Sequence, residues 1–101
     1  MKVYKYPVLL EEYFDLDLPE GAQILSVQTQ CDKPFLWALV DPDAPVKAID
    51  FIMVGTGHPL KEDPAHLFHH GTFQIHDGAL VFHLFEVLDG LRFGSRKGDV
   101  P

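Results

Sequence analysis

The chain has 101 residues, enough for one domain whose single core buries roughly 65% of the surface of the unfolded chain. A hydrophobic content of 47%, with eight Phe, three Tyr and one Trp, excludes intrinsic disorder and implies an aromatic core. Fifteen acidic against eight basic residues give a net charge of −7, which argues against a nucleic-acid partner and against anionic membranes.

Lys2 to Val8 alternates Tyr4 and Tyr6 with Val3 and Lys5 before Pro7 stops it, and predicts a short edge strand. From Tyr13 to Leu18, Phe14, Leu16 and Leu18 alternate with Asp15 and Asp17, so a half-buried strand with an acidic outer face is expected. Pro19-Glu20-Gly21 turns it. Ala22 to Cys31 reads as a third strand with Leu25, Val27, Thr29 and Cys31 on one face, reversed by Asp32-Lys33-Pro34. The apolar run Phe35 to Val40 predicts a central strand with both faces covered. The two prolines of Asp41-Pro-Asp-Ala-Pro45 lack amide donors and force a rigid turn.

Val46 to Val54 predicts a fifth strand, with Ile49, Phe51 and Met53 on one side and Ala48, Asp50, Ile52 and Val54 on the other. It runs into Gly55-Thr-Gly-His-Pro59, where two glycines permit positive φ or a close approach and Pro59 fixes the exit. Pro59 to His70 lacks strand alternation, and at most one short helical turn is expected around residues 63–70, with Asp63 as cap and Pro64 as first residue. Asp77-Gly78 is the strongest hairpin signal, because a type I′ turn needs positive φ at both central residues. It pairs Gly71 to His76 with Ala79 to Val87 and sets Ile75 opposite Leu80, Phe73 opposite Phe82 and Thr72 opposite His83. Both faces of the last strand are apolar, which places it deep in the sheet. Residues 89–101 hold little to bury and are expected to form a flexible tail beyond a single all-β domain at 1–88. Six to seven short strands at regular spacing predict a small antiparallel sandwich or barrel.

The single cysteine, Cys31, cannot form an intramolecular disulfide and fits a reducing compartment. No apolar run has the length of a membrane span and the first residues lack the pattern of a signal peptide, so a cytoplasmic protein is expected.

Four separated motifs occur in order: Leu-Pro-Glu-Gly-Ala-Gln-Ile-Leu-Ser-Val at 18–27, Phe35-Leu-Trp-Ala-Leu-Val-Asp-Pro-Asp-Ala-Pro45, Gly55-Thr-Gly-His-Pro59 and Val81-Phe-His-Leu-Phe-Glu-Val87. With them the chain resembles, over residues 2–87, an uncharacterised family of small proteins encoded by bacteriophages and prophages. The resemblance implies an accessory protein in the cytoplasm of a bacterial host and brings no established activity. Residues 60–70 and the tail lie outside its motifs.

Among candidate site residues, His58 with the Gly55, Thr56 and Gly57 backbone could meet a polar or anionic ligand, while the plainer reading is that its imidazole ties down the turn. Gly-Thr-Gly is not a dinucleotide fingerprint, since the third glycine and the following helix are missing. His66, His69 and His70 have zinc-ligand spacing if a helical turn forms there; a solvated loop is the bland alternative, with no Cys or Glu completing a pattern. His83 on an apolar face and Trp37 in an apolar run are candidate ligand contacts, and core roles for both are the simpler reading. Cys31 has no flanking cation to activate it, and neither Ser26 nor Ser95 sits in a nucleophile elbow. A non-catalytic binding protein follows, with no required cofactor, engaging a host protein or sequestering a small ligand such as a nucleotide signal. Its exposed edges suit a homo-oligomer. The alternatives are a metal-assisted enzyme using the histidines and a virion structural protein.

Overall fold

The computed structural model describes residues 1–88; the tail expected at 89–101 lies outside the described residues. The fold is all-β, a sandwich of two antiparallel sheets. Its strands are β1 (Lys2–Pro7), β2 (Tyr13–Pro19), β3 (Gln23–Gln30), β4 (Lys33–Val40), β5 (Val46–Gly55), β6 (Leu67–Ile75) and β7 (Leu80–Val87). One sheet has the order β1-β4-β3 and the other β2-β5-β7-β6. A 3-10 turn at Pro64–His66 precedes β6, with Asp63 as its cap accepting from the Ala65 amide and Pro64 in the first turn, as the sequence predicts.

The inner faces of both sheets meet in one core, to which Leu36, Ala38 and Val40 contribute from the first sheet and Phe14, Leu18, Phe51 and Leu84 from the second. Phe14 and Phe51 stack at 5.4 Å between centroids across the β2–β5 pair. Such a ring pair adds about 0.5–1.5 kcal/mol beyond its area. Gly71 lets the two sheets close on each other along β3 and β6: a Cβ there would lie 2.5 Å from Val27 Cγ1. No side chain larger than hydrogen fits unless the Val27 side chain or β3 itself shifts.

Four expectations are corrected. In β3 the register shifts between Ile24 and Ser26, so Leu25 is the extra residue and is 49% exposed, while Ile24 and Val27 face inward. A bulge breaks the alternation that put Leu25 with Val27. The reversal after β3 is made by Cys31 and Asp32, both at positive φ (52° and 63°), and Pro34 lies inside β4 opposite Thr29. β4 buries one face only: Pro34, Leu36, Ala38 and Val40 are buried, and Phe35, Trp37 and Leu39 are half-exposed on the outside. β6 begins at Leu67, four residues earlier than expected, and a second bulge between His69 and Gly71 disguises its alternation.

The hairpin register is as predicted, with Ile75 opposite Leu80, Phe73 opposite Phe82 and Thr72 opposite His83. Asp77 and Gly78 have φ of 55° and 85°, and the Ala79 amide donates to the His76 carbonyl, which is a type I′ turn. β7 lies between β5 and β6 and is antiparallel to both, so β5 and β6 run parallel. Their connection therefore travels the length of the sheet. Tyr13, on the opposite side of β2 from buried Phe14, holds this connection by donating to Glu62 at 3.0 Å. Among the described residues no helix is long and apolar enough to cross a membrane.

Candidate functional site around the glycine corner

β5 ends at Gly55, and the next three residues form a tight turn in which the His58 amide donates to the Gly55 carbonyl at 3.0 Å. Gly57 occupies the third position with φ of 86°, the left-handed geometry that a type II turn requires and that glycine takes without strain. The Thr56 amide donates to the Val81 carbonyl at 3.1 Å, which anchors the turn on β7.

The register then brings a second element to the corner. Val54 on β5 and Thr72 on β6 both lie opposite His83 of β7. His83 Nε2 is 2.7 Å from Thr56 Oγ1, and its Nδ1 is 2.9 Å from Thr72 Oγ1. Each ring nitrogen thus faces a hydroxyl, which can donate or accept, so either neutral tautomer is satisfied. His69 lies beside this pair, its ring 6.1 Å from that of His83 and 5.1 Å from that of Phe85. The outcome is a polar strut running from the corner across two strands.

The exposed His58 ring folds back over Gly55, whose Cβ position would be 3.7 Å from both His58 Cγ and Phe82 Cε1. Two open grooves flank it. One, of about 370 Å³, runs between Leu10, Glu12, Met53, His58, Lys61 and Phe82; the other, of about 320 Å³, between Thr56, His58, Leu80 and Phe82. Gly55, His58 and Phe82 line both. A smaller depression of about 160 Å³ lies toward the opposite end of β5, bordered by Glu20, Lys47, Asp50 and Glu86.

Of the residues expected at the site, Gly55, Thr56, Gly57, His58 and His83 are brought together. Trp37 is not: it sits on the outer face of β4, in the other sheet. The three clustered histidines diverge. His66 closes the 3-10 turn, where its carbonyl accepts from the Leu88 amide; His69 leans toward His83; His70 meets Glu86 at 2.7 Å and the Phe68 ring edge-on at 4.8 Å. They lie across a turn and a bulged strand, and a helical arrangement would have been needed to put them on one face. Among the described residues no three His, Cys, Asp or Glu side chains are grouped to hold a metal ion.

Sequence reasoning missed Thr72, Phe82 and Leu10. Thr72 was within reach, because the Asp77-Gly78 hairpin already placed it opposite His83. Phe82 reads from its alternation as core and is indeed packed against it, but its ring edge also forms the groove wall. Leu10 belongs to an irregular segment with no pattern to read. Tyr13, at the far side of the crossing connection, has its phenol pushed up to about 12, first by burial, then by its bond to Glu62 and the charges of Glu62 and Glu12.

No curated protein and no protein of solved structure matches the chain. A family model described as a domain of unknown function (DUF7352) matches residues 1–91, and the chain belongs to that family.

Proposed function

We propose that this is a non-catalytic binding protein whose glycine corner docks an apolar segment of a partner protein. The observation that carries the reading is the pair of grooves meeting at Gly55, His58 and Phe82, with Leu10 and Leu80 exposed to 55% and 42% on their outer sides. Exposed leucines beside a rigid turn are what a protein contact uses, with an aromatic wall as anchor. The grooves are open to solvent, whereas a small ligand is ordinarily enclosed over most of its surface, so a polypeptide partner fits better than a sequestered nucleotide. The hydroxyl–imidazole strut behind the corner supplies rigidity, which lowers the cost of ordering the surface on association. The resemblance to small phage and prophage proteins makes a bacterial host protein the partner to seek.

Affinity purification from a bacterial host, performed in parallel with wild type, His58→Ala and Leu10→Ser, tests this. A partner recovered with wild type and lost with both variants, at unchanged melting temperature, supports the reading. Retention of every recovered partner by both folded variants overturns it.

A further inference from the structure

The charge of the molecule is unevenly distributed between its two sheets. Not one acidic residue occurs in β1, β3 or β4, whose sequences are KVYKYP, QILSVQTQ and KPFLWALV, although the whole chain holds fifteen. The carboxylate in the turn between β3 and β4, that of Asp32, is turned away to His76 of the other sheet's hairpin. Among the described residues the three strands of this sheet carry no negative charge; at their far end Asp41, which follows Val40 directly, accepts from the Asp43 amide.

The outer side of this sheet is ordered in three rows. β1 presents Val3 and Lys5, β4 presents Lys33, Phe35, Trp37 and Leu39, and β3 presents Gln23, Ser26, Gln28 and Gln30. In the central row Phe35, Trp37 and Leu39 are apolar and partly exposed and Lys33 at its end is exposed; Val3 beside it is 54% exposed, and the Phe35 and Trp37 rings lie 6.2 Å apart. Lys5 reaches over the Phe35 ring, 4.5 Å from its centroid, and donates to Gln30 Oε1 at 2.8 Å. An aromatic centre rimmed by amides and cations is the anatomy of a protein contact surface.

We propose that this outer face of the β1-β4-β3 sheet is a second docking surface, distinct from the glycine corner, and that its occupant is an acidic polypeptide segment with interspersed apolar residues. Charge complementarity decides the occupant. Apolar side chains would cover Trp37, Phe35, Leu39 and Val3, while carboxylates would meet Lys5 and Lys33 and the glutamine amides. A nucleic acid is disfavoured by magnitude: strong binding takes on the order of 6–10 phosphate contacts, and this face offers two lysines on a molecule of net charge −7. Guarding of an open edge accounts for Lys2, Lys5 and Pro7 on β1, but not for Lys33, which sits on the central strand.

Trp37 is the single tryptophan of the chain, so its emission reports on this face alone. The full chain is titrated with a short peptide alternating Glu and Val, a matching peptide of Lys and Val, and an oligothymidylate. The expected result is a saturable change with the Glu-Val peptide only, weakened by salt and about tenfold weaker in the Lys5→Glu/Lys33→Glu double variant. Gln28→Glu, which keeps both lysines, weakens it as well. Circular dichroism and melting temperature verify that the variants fold. No response to the Glu-Val peptide, an equal response to the Lys-Val peptide, or binding indifferent to charge reversal in folded variants overturns the proposal. A response confined to oligothymidylate overturns it in favour of a single-strand nucleic-acid surface.

Discussion

Asp32 and His76, forty-four residues apart in sequence, tie the tips of two hairpins together: one carboxylate oxygen accepts from the His76 amide at 2.7 Å and the other lies 3.2 Å from its Nδ1. Both residues are at positive φ, so each turn is shaped to present its half of the contact. Because the imidazole and the carboxylate are largely exposed, the amide bond is the firmer part. Asp32→Ala is expected to lower stability by about 0.5–1.5 kcal/mol in chemical denaturation. Asp32→Asn costs less, since Asn tolerates the left-handed region and its amide oxygen can still accept.

Gly71→Ala is expected to cost about 1–3 kcal/mol, because a methyl group 2.5 Å from Val27 Cγ1 forces the valine side chain off its position or β3 away from β6. Val27→Ala made in the same chain relieves the clash. The double variant should then be more stable than the sum of the single losses predicts, by about 0.5–3 kcal/mol in a double-mutant cycle.

At the corner, stability and binding should separate. His58 is exposed, and His58→Ala is expected to change stability by no more than about 0.5 kcal/mol while abolishing partner recovery. Thr56→Ala removes the hydroxyl beside His83 Nε2 and should cost about 0.5–1.5 kcal/mol, with Thr56→Ser restoring most of it. A His58→Ala protein that unfolds would show that the corner is scaffolding.

Tyr13 makes the fold sensitive to alkali. Its phenol has an ordinary pKa of 10.0 and is pushed up to about 12 in the fold, so the folded state favours the protonated form. The stabilisation this represents is fully present below about pH 10 and is lost as pH rises through about 12. Phenolate absorbance followed during an alkaline titration should show a late phase that Tyr13→Phe removes. Retention of that phase in the variant would assign it to another residue, such as Tyr6, whose pKa is also raised by burial and by Tyr4.

What the sequence disclosed follows from which forces are local. Asp77-Gly78 dictates its own turn, and the turn dictates the register of β6 on β7 up to Thr72 and His83. Asp63-Pro64 likewise announced the 3-10 turn. The Leu25 bulge was hidden, because Leu25 is as apolar as the residues that do face inward and only packing against the other sheet selects Ile24 and Val27. The start of β6 was hidden by a run of histidines that suggested helical spacing. The corner was legible from its glycines; its strut was half legible; its grooves were not, since Leu10 and Phe82 meet only after both the β2–β5 and the β5–β7 pairings exist.

The position of β7 has a consequence for how the chain acquires this structure. Among the described residues it is the last strand in sequence, and it is an interior strand of its sheet, flanked by β5 and β6. Until residues 80–87 arrive, β5 has only β2 to pair with, β6 has no neighbouring strand, and the connection between them has no strand to cross. Folding is therefore expected to wait for the end of synthesis of this domain, with slow closure of distant segments rather than growth from the first hairpin.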